Sequence, residues 1–156
     1  MDAVATHAVR IARQAWFVRS GSAVLALGIG GVFTLSALLV PSPDGHGTHL
    51  QLGLGTCTFL AMTGQPCPMC GATTSFALMA HLRPIEALIN QPFAAFLFCL
   101  SAGVLGVAVA ETVDPRRRWD RILTWLGPRE SAFAAVFLGF MLVSWVYKIA
   151  RMAGLL

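Results

Sequence analysis

Ser20-Gly-Ser-Ala-Val-Leu-Ala-Leu-Gly-Ile-Gly-Gly-Val-Phe-Thr-Leu-Ser-Ala-Leu-Leu-Val40 runs for 21 residues without a charged side chain. Wound as a helix it is about 31 Å long, enough to cross the hydrocarbon core of a bilayer. Working outward, the uncharged run Pro92 to Ala110 is closed by Glu111, and Ser131 to Tyr147 is ended by Lys148. The third run is the shortest and sits near the lower length limit for a span. Three apolar runs in 156 residues predict an all-α integral membrane protein of about three transmembrane helices.

Composition agrees. Hydrophobic residues make up 56% of the chain and charged residues 12%, about half the charge of an ordinary soluble domain. That is too little to coat a protein of this size in water. The net charge of +4 does not indicate a nucleic acid partner, because the basic residues flank apolar runs instead of forming an aromatic-studded patch. The expected partners are the lipid bilayer and other membrane protein subunits, with no nucleic acid. Each run also carries small residues four apart (Ser22, Ala26, Gly30, Thr34; Ala102, Gly106, Ala110; Ser131, Ala135, Gly139), a spacing that lets helices approach closely in lipid.

The basic residues set the orientation. Arg10, Arg13 and Arg19 precede the first run, and Arg116, Arg117, Arg118, Arg121 and Arg129 lie between the second and third. The segment 41–91 holds only Arg83. The positive-inside rule then places the amino terminus and the 112–130 loop in the cytoplasm and 41–91 on the far side. Lys148 and Arg151 run against that bias. The first run is longer than a signal-peptide h-region and reads as an uncleaved anchor. Trp145 and Tyr147 stand where an interfacial aromatic belt is expected.

The resulting map is a cytoplasmic amphipathic N-terminus over 1–19, spans at 20–40, 92–111 and 131–147, a cysteine-containing lid over 41–91, a basic loop over 112–130 and a tail over 148–156. Within the lid, Leu50 to Met62 is apolar but too short to span, so it suits an interfacial or re-entrant helix. Ala72 to Leu82 reads as a second short helix with Thr73 and Thr74 available as caps. Pro84 and Pro92 bracket a third piece. A lid of short interfacial helices between the first two spans is therefore expected.

Between the first two pieces lies Thr63-Gly-Gln-Pro-Cys-Pro-Met-Cys-Gly71, with Cys57 ten residues before Cys67. Three chemistries fit. A structural disulfide from Cys57 to Cys67 or Cys70 suits an oxidising compartment. A zinc ion suits Cys57, Cys67 and Cys70 with His81 or His49 as fourth ligand. Thiol-disulfide catalysis suits Cys67 as attacking thiol and Cys70 as resolving thiol, since a helix N-terminus favours thiolate. No cofactor other than zinc is implied. Cys99, mid-span, reads as a packing residue, and Glu86 is expected to pair with Arg83.

Cys57, Met62-Thr-Gly64, Pro66-Cys-Pro-Met-Cys-Gly71, Thr73, Ala87 and Gln91-Pro92 together resemble the signature of a family of small bacterial membrane proteins known only as a domain of unknown function. Its core is a Cys, then Gly-x-Pro-Cys-Pro-x-Cys-Gly-x-Thr, and a later Asn-Pro. Gln91 stands where that family has Asn, Leu82 where it has Gly, and Thr74 where many members have Arg. The resemblance implies a multi-pass protein of the bacterial inner (cytoplasmic) membrane. It implies no activity. The functional expectation is a non-enzymatic accessory or scaffolding subunit with a structural cysteine cluster; the alternative is a membrane thiol-disulfide oxidoreductase using Cys67 and Cys70.

Overall fold

The computed structural model describes residues 2–155, with side chains described from residue 13. Helix α1 spans Asp2–Leu38, α2 Thr58–Thr63, α3 Ala72–Ala80, α4 Pro84–Asn90, α5 Pro92–Val113, α6 Arg118–Leu126 and α7 Glu130–Met152, with single 3-10 turns at Thr48–Leu52 and Gly127–Arg129. No strand occurs among the described residues. Three segments are long and apolar enough to cross a membrane: Arg13–Leu38, Pro92–Val113 and Arg118–Met152. Val24, Leu27 and Val136 are 70%, 76% and 72% exposed along them, a surface that lipid tolerates and water does not. The chain is a multi-pass, all-α membrane protein.

The N-terminal stretch continues into the first span as one helix. Its side chains Val4, Val9 and Ile11 lie outside the described residues. At the glycines of the small-residue stripes there is open space: a Cβ added at Gly30, Gly106 or Gly139 meets nothing within 4 Å.

The chain divides into two compact units, one of residues 1–31 with 101–129 and one of 32–100 with 130–156. In the first, the expected 112–130 loop contains α6, whose Trp119, Ile122, Leu123 and Leu126 fall on one face at helical spacing. Buried Glu111 starts that helix, accepting the Arg117 N–H at 3.1 Å and the Arg118 N–H at 2.6 Å and pairing with the Arg118 guanidinium. A carboxylate there satisfies open N–H groups and complements the helix dipole. The indole of Trp119 donates to Ser22 Oγ.

The second unit holds the lid. Leu78, Ala87 and Ala95 form its core, and Phe93 is buried edge-on against Phe137 and Phe140. The short helices end where glycine or proline dictates: Gly64, with positive φ, closes α2, and Pro84 opens α4. Thr73 and Thr74 do not cap α3. Gly71 holds the N-cap position without a side-chain bond, and Thr74 Oγ1 pairs with Thr48 Oγ1 at 2.8 Å.

Leu82, where the resembling family has Gly, sits at φ 58 and is 88% exposed. A left-handed conformation costs an L-residue about 1–2 kcal/mol, and so exposed a side chain recovers little of it. Leu82→Gly is expected to raise the thermal midpoint in detergent, with a gain of about 1 kcal/mol. A lowered midpoint would show that the leucine makes contacts that outweigh the backbone strain.

Candidate functional site

The site is built on the turn Pro66 to Gly71. Its own backbone closes it through Cys70 N–H to Cys67 O at 2.9 Å and Ala72 N–H to Met69 O at 3.0 Å. Three distant side chains then hold its carbonyls. The Trp145 indole donates to Pro66 O at 2.7 Å, the Gln91 amide to Pro68 O at 2.9 Å and the Asn90 amide to Gly71 O at 3.1 Å. Gln91 is fully buried and its Oε1 accepts the Ala94 N–H, so one side chain caps α5 and fixes the cysteine turn. A proline- and glycine-rich turn has no ladder to satisfy its carbonyls, and these donors supply what secondary structure cannot.

Behind the turn stands Lys148, the chain's only lysine, 3% exposed. Its ammonium donates to Asn90 Oδ1 at 2.8 Å, Gly45 O at 3.1 Å and, more weakly, Asn90 O at 3.4 Å. Asn90 passes the arrangement on, its amide also reaching Ser75 Oγ at 2.9 Å. The Tyr147 hydroxyl donates to Ile89 O at 2.7 Å, and the Arg151 guanidinium donates to the same carbonyl. Lys148 and Arg151, out of place in a count of loop charges, prolong α7 past the apolar run because lid carbonyls receive them.

Cys57, Cys67 and Cys70 all line one open cavity of about 390 Å³, with Met69, His46 and His49 also on its walls. All three thiols are unbonded to one another. The backbone N–H of Leu60, at the start of α2, is the main influence holding Cys57 below the usual thiol range; burial opposes it, and the neighbouring Cys67 thiol adds to the lowering. Burial pushes Cys67 up, and the Cys57 thiol adds to the rise. Cys70 is pushed up by burial first and by Cys67, while Lys148 draws it down. Of the three, Cys57 alone is held below the usual thiol range, and it shares the cavity wall with Cys67.

His81 stands apart. Its Nδ1 lies 2.8 Å from Ala77 O at the end of α3, and it is not on the cavity wall. His46 and His49 are engaged with Asp44 O and Gly55 O. Among the described residues no three His, Cys, Asp or Glu side chains converge as ligands of one ion. Cys99 is exposed on α5, so it faces outward and does not pack. Arg83 and Glu86 pair at 2.6 Å, as expected.

Residues 57–105 match the family described as a protein of unknown function, DUF2752. The DUF2752 match opens at Cys57 and takes in the cysteine turn, Asn90 and Gln91, which is the part of the chain that the polar contacts converge on. No curated protein and no solved structure matches the chain.

In the sequence alone Asn90 goes unnamed, and Gln91 reads as a family position, Trp145 as a belt residue and Lys148 as a stray charge, not as parts of one site. One signal was available for Lys148: it is a single lysine among ten arginines. A compact ammonium with three donors fits a small cage of carbonyls, where a planar guanidinium does not.

Proposed function

We propose that this is an inner-membrane protein, amino terminus in the cytoplasm, whose lid forms an extracytoplasmic thiol-disulfide exchange centre. The observation that supports it is that Cys57, its thiol held below the usual range, and its neighbour Cys67 share the wall of one open cavity. A thiol-disulfide pair that is accessible and has one acidic member is a labile one. In the exchange, the Cys57 thiolate attacks a disulfide on a partner protein, forming a mixed disulfide and releasing one partner thiolate. The Cys67 thiolate then attacks Cys57 Sγ, releasing the second partner thiol. The partner disulfide is reduced and the Cys57–Cys67 pair oxidised, and the sequence runs in reverse against a partner dithiol. The reading moves the reactive pair from Cys67 and Cys70 to Cys57 and Cys67, leaving Cys70 behind them near Lys148.

A second reading, an accessory or scaffolding subunit stapled by the same bond, is favoured by the three donors that fix the cysteine turn, since rigidity serves recognition as well as exchange. A bridge closing so short a loop contributes about 3 kcal/mol. Mass-tagging of thiols in native membranes separates the readings. Exchange predicts that Cys57 labels before Cys67 at neutral pH, that the pair interconverts with added dithiol or disulfide, and that Cys67→Ser traps a partner on Cys57. A bond that resists mild reductant, with no trapped partner, supports the staple. Thiols that label only after a chelator is added overturn both and point to zinc on Cys57, Cys67 and Cys70.

A further inference from the structure

A second cavity, of about 340 Å³, lies on the side of the lid where the chain enters and leaves its spans. Asp44, Gly45 and His46 on its wall follow the end of α1; Asn90 precedes α5; Lys148 and Arg151 belong to the last turns of α7. Asn90, Lys148 and Arg151 lie within four positions of a span end and Asp44 to His46 within eight, which suits a cavity near the phospholipid headgroups.

Its charges are arranged in two places. Lys148 and Arg151 are three residues apart on α7 and share the wall. No carboxylate lies within ion-pair distance of either among the described residues. The cage around Lys148 satisfies its hydrogen bonds with neutral oxygens and leaves its charge uncompensated. Arg151 is exposed and, among the described residues, binds protein through Nη1, to Ile89 O and Tyr147 Oη, so Nε and Nη2 remain for a ligand. Asp44, also exposed, supplies one negative charge to the same wall, and His46 is held through Nδ1 against Asp44 O. Two cations and one anion, around a cavity at headgroup depth, complement a zwitterion.

We propose that this cavity binds a phosphodiester that carries a primary ammonium, supplied by a membrane phospholipid of the phosphatidylethanolamine class. The phosphate takes the free edge of the Arg151 guanidinium within the field of Lys148, and the ammonium takes Asp44. Arginine presents paired donors to a phosphate, and a primary ammonium donates to a carboxylate where a quaternary one cannot. Phosphatidylglycerol offers the phosphate without the ammonium and leaves Asp44 facing a net anion. The proposal is independent of the exchange chemistry.

The test is native mass spectrometry of the full chain released from mixed micelles containing equal phosphatidylethanolamine, phosphatidylglycerol and phosphatidylcholine. The wild type is expected to retain phosphatidylethanolamine roughly tenfold over the others. Arg151→Gln is expected to lower retention of all three, and Asp44→Asn to abolish the preference while keeping phospholipid bound. Protease cleavage within 41–91 reports whether each variant keeps its lid, and neither residue donates to the cysteine turn. Glycerophosphoethanolamine and inorganic phosphate are added in separate arms. Displacement of lipid by the first and not the second supports the assignment. Equal retention by wild type and both variants overturns it, as does binding of inorganic phosphate with no lipid retained.

Discussion

Lys148→Met is expected to release the lid from the third span and to cost about 3 kcal/mol of stability. The substitution keeps an apolar stem one atom shorter and removes the ammonium with its charge and its donors. Asn90 Oδ1, Gly45 O and Asn90 O then face a methyl group. Each buried acceptor left unpaired costs about 1–2 kcal/mol, and the desolvation recovered when the ammonium disappears offsets part of the sum. Asn90 also loses the partner that orients it, so its bonds to Gly71 O and Ser75 Oγ weaken together. The measurement is the thermal midpoint in detergent alongside protease cleavage in 41–91. A variant as stable and as protease-resistant as wild type would mean that the cage contributes nothing to holding the lid.

The second large effect is expected at Gly71→Ala, at about 4 kcal/mol. Gly71 has φ +86, where any L side chain pays about 1–2 kcal/mol in backbone strain. Its position is also closed in space. An added methyl overlaps the Gly45 carbonyl oxygen and lies 3.1 Å from both Asn90 Nδ2 and Lys148 Nζ, the junction that Lys148 organises. The backbone of the 41–47 segment must move to admit it. Gly64 is the control: its φ of +69 imposes the same strain, but nothing lies within 4 Å. Gly64→Ala is therefore expected to cost about 1 kcal/mol. Equal losses at the two positions would show that strain alone matters and that the junction yields without penalty.

The contrast between Leu82 and the Lys148 cage shows what a linear reading reaches. Leu82 stands where the resembling family has Gly, and the left-handed backbone at the end of α3 is a local reason for that family's choice. The cage joins Gly45 to Lys148 across 103 residues, and Trp145 to Pro66 across 79. Trp145 and Tyr147 had the composition of an interfacial belt, yet their polar ends go to lid carbonyls. His81 was equally plausible as a ligand by spacing alone; α3 turned it toward its own last turn. In 112–130 the charges hid a helix whose apolar positions were present in the sequence, because a count of arginines for orientation ignores their period.

By itself the sequence determined the solvent of this protein and that it crosses that solvent more than once. Length and apolarity fix which segments are cheaper in lipid than in water, and each segment settles that separately. It also determined that three thiols fall within one short, turn-rich region. Only the tertiary structure decided that Cys57 meets Cys67, that Lys148 is buried at the lid, and that two cations and a carboxylate surround one cavity. Those outcomes depend on how helices distant in the chain turn about their axes and meet. Such rotations follow from the sum of many weak contacts, and no single stretch of residues records them.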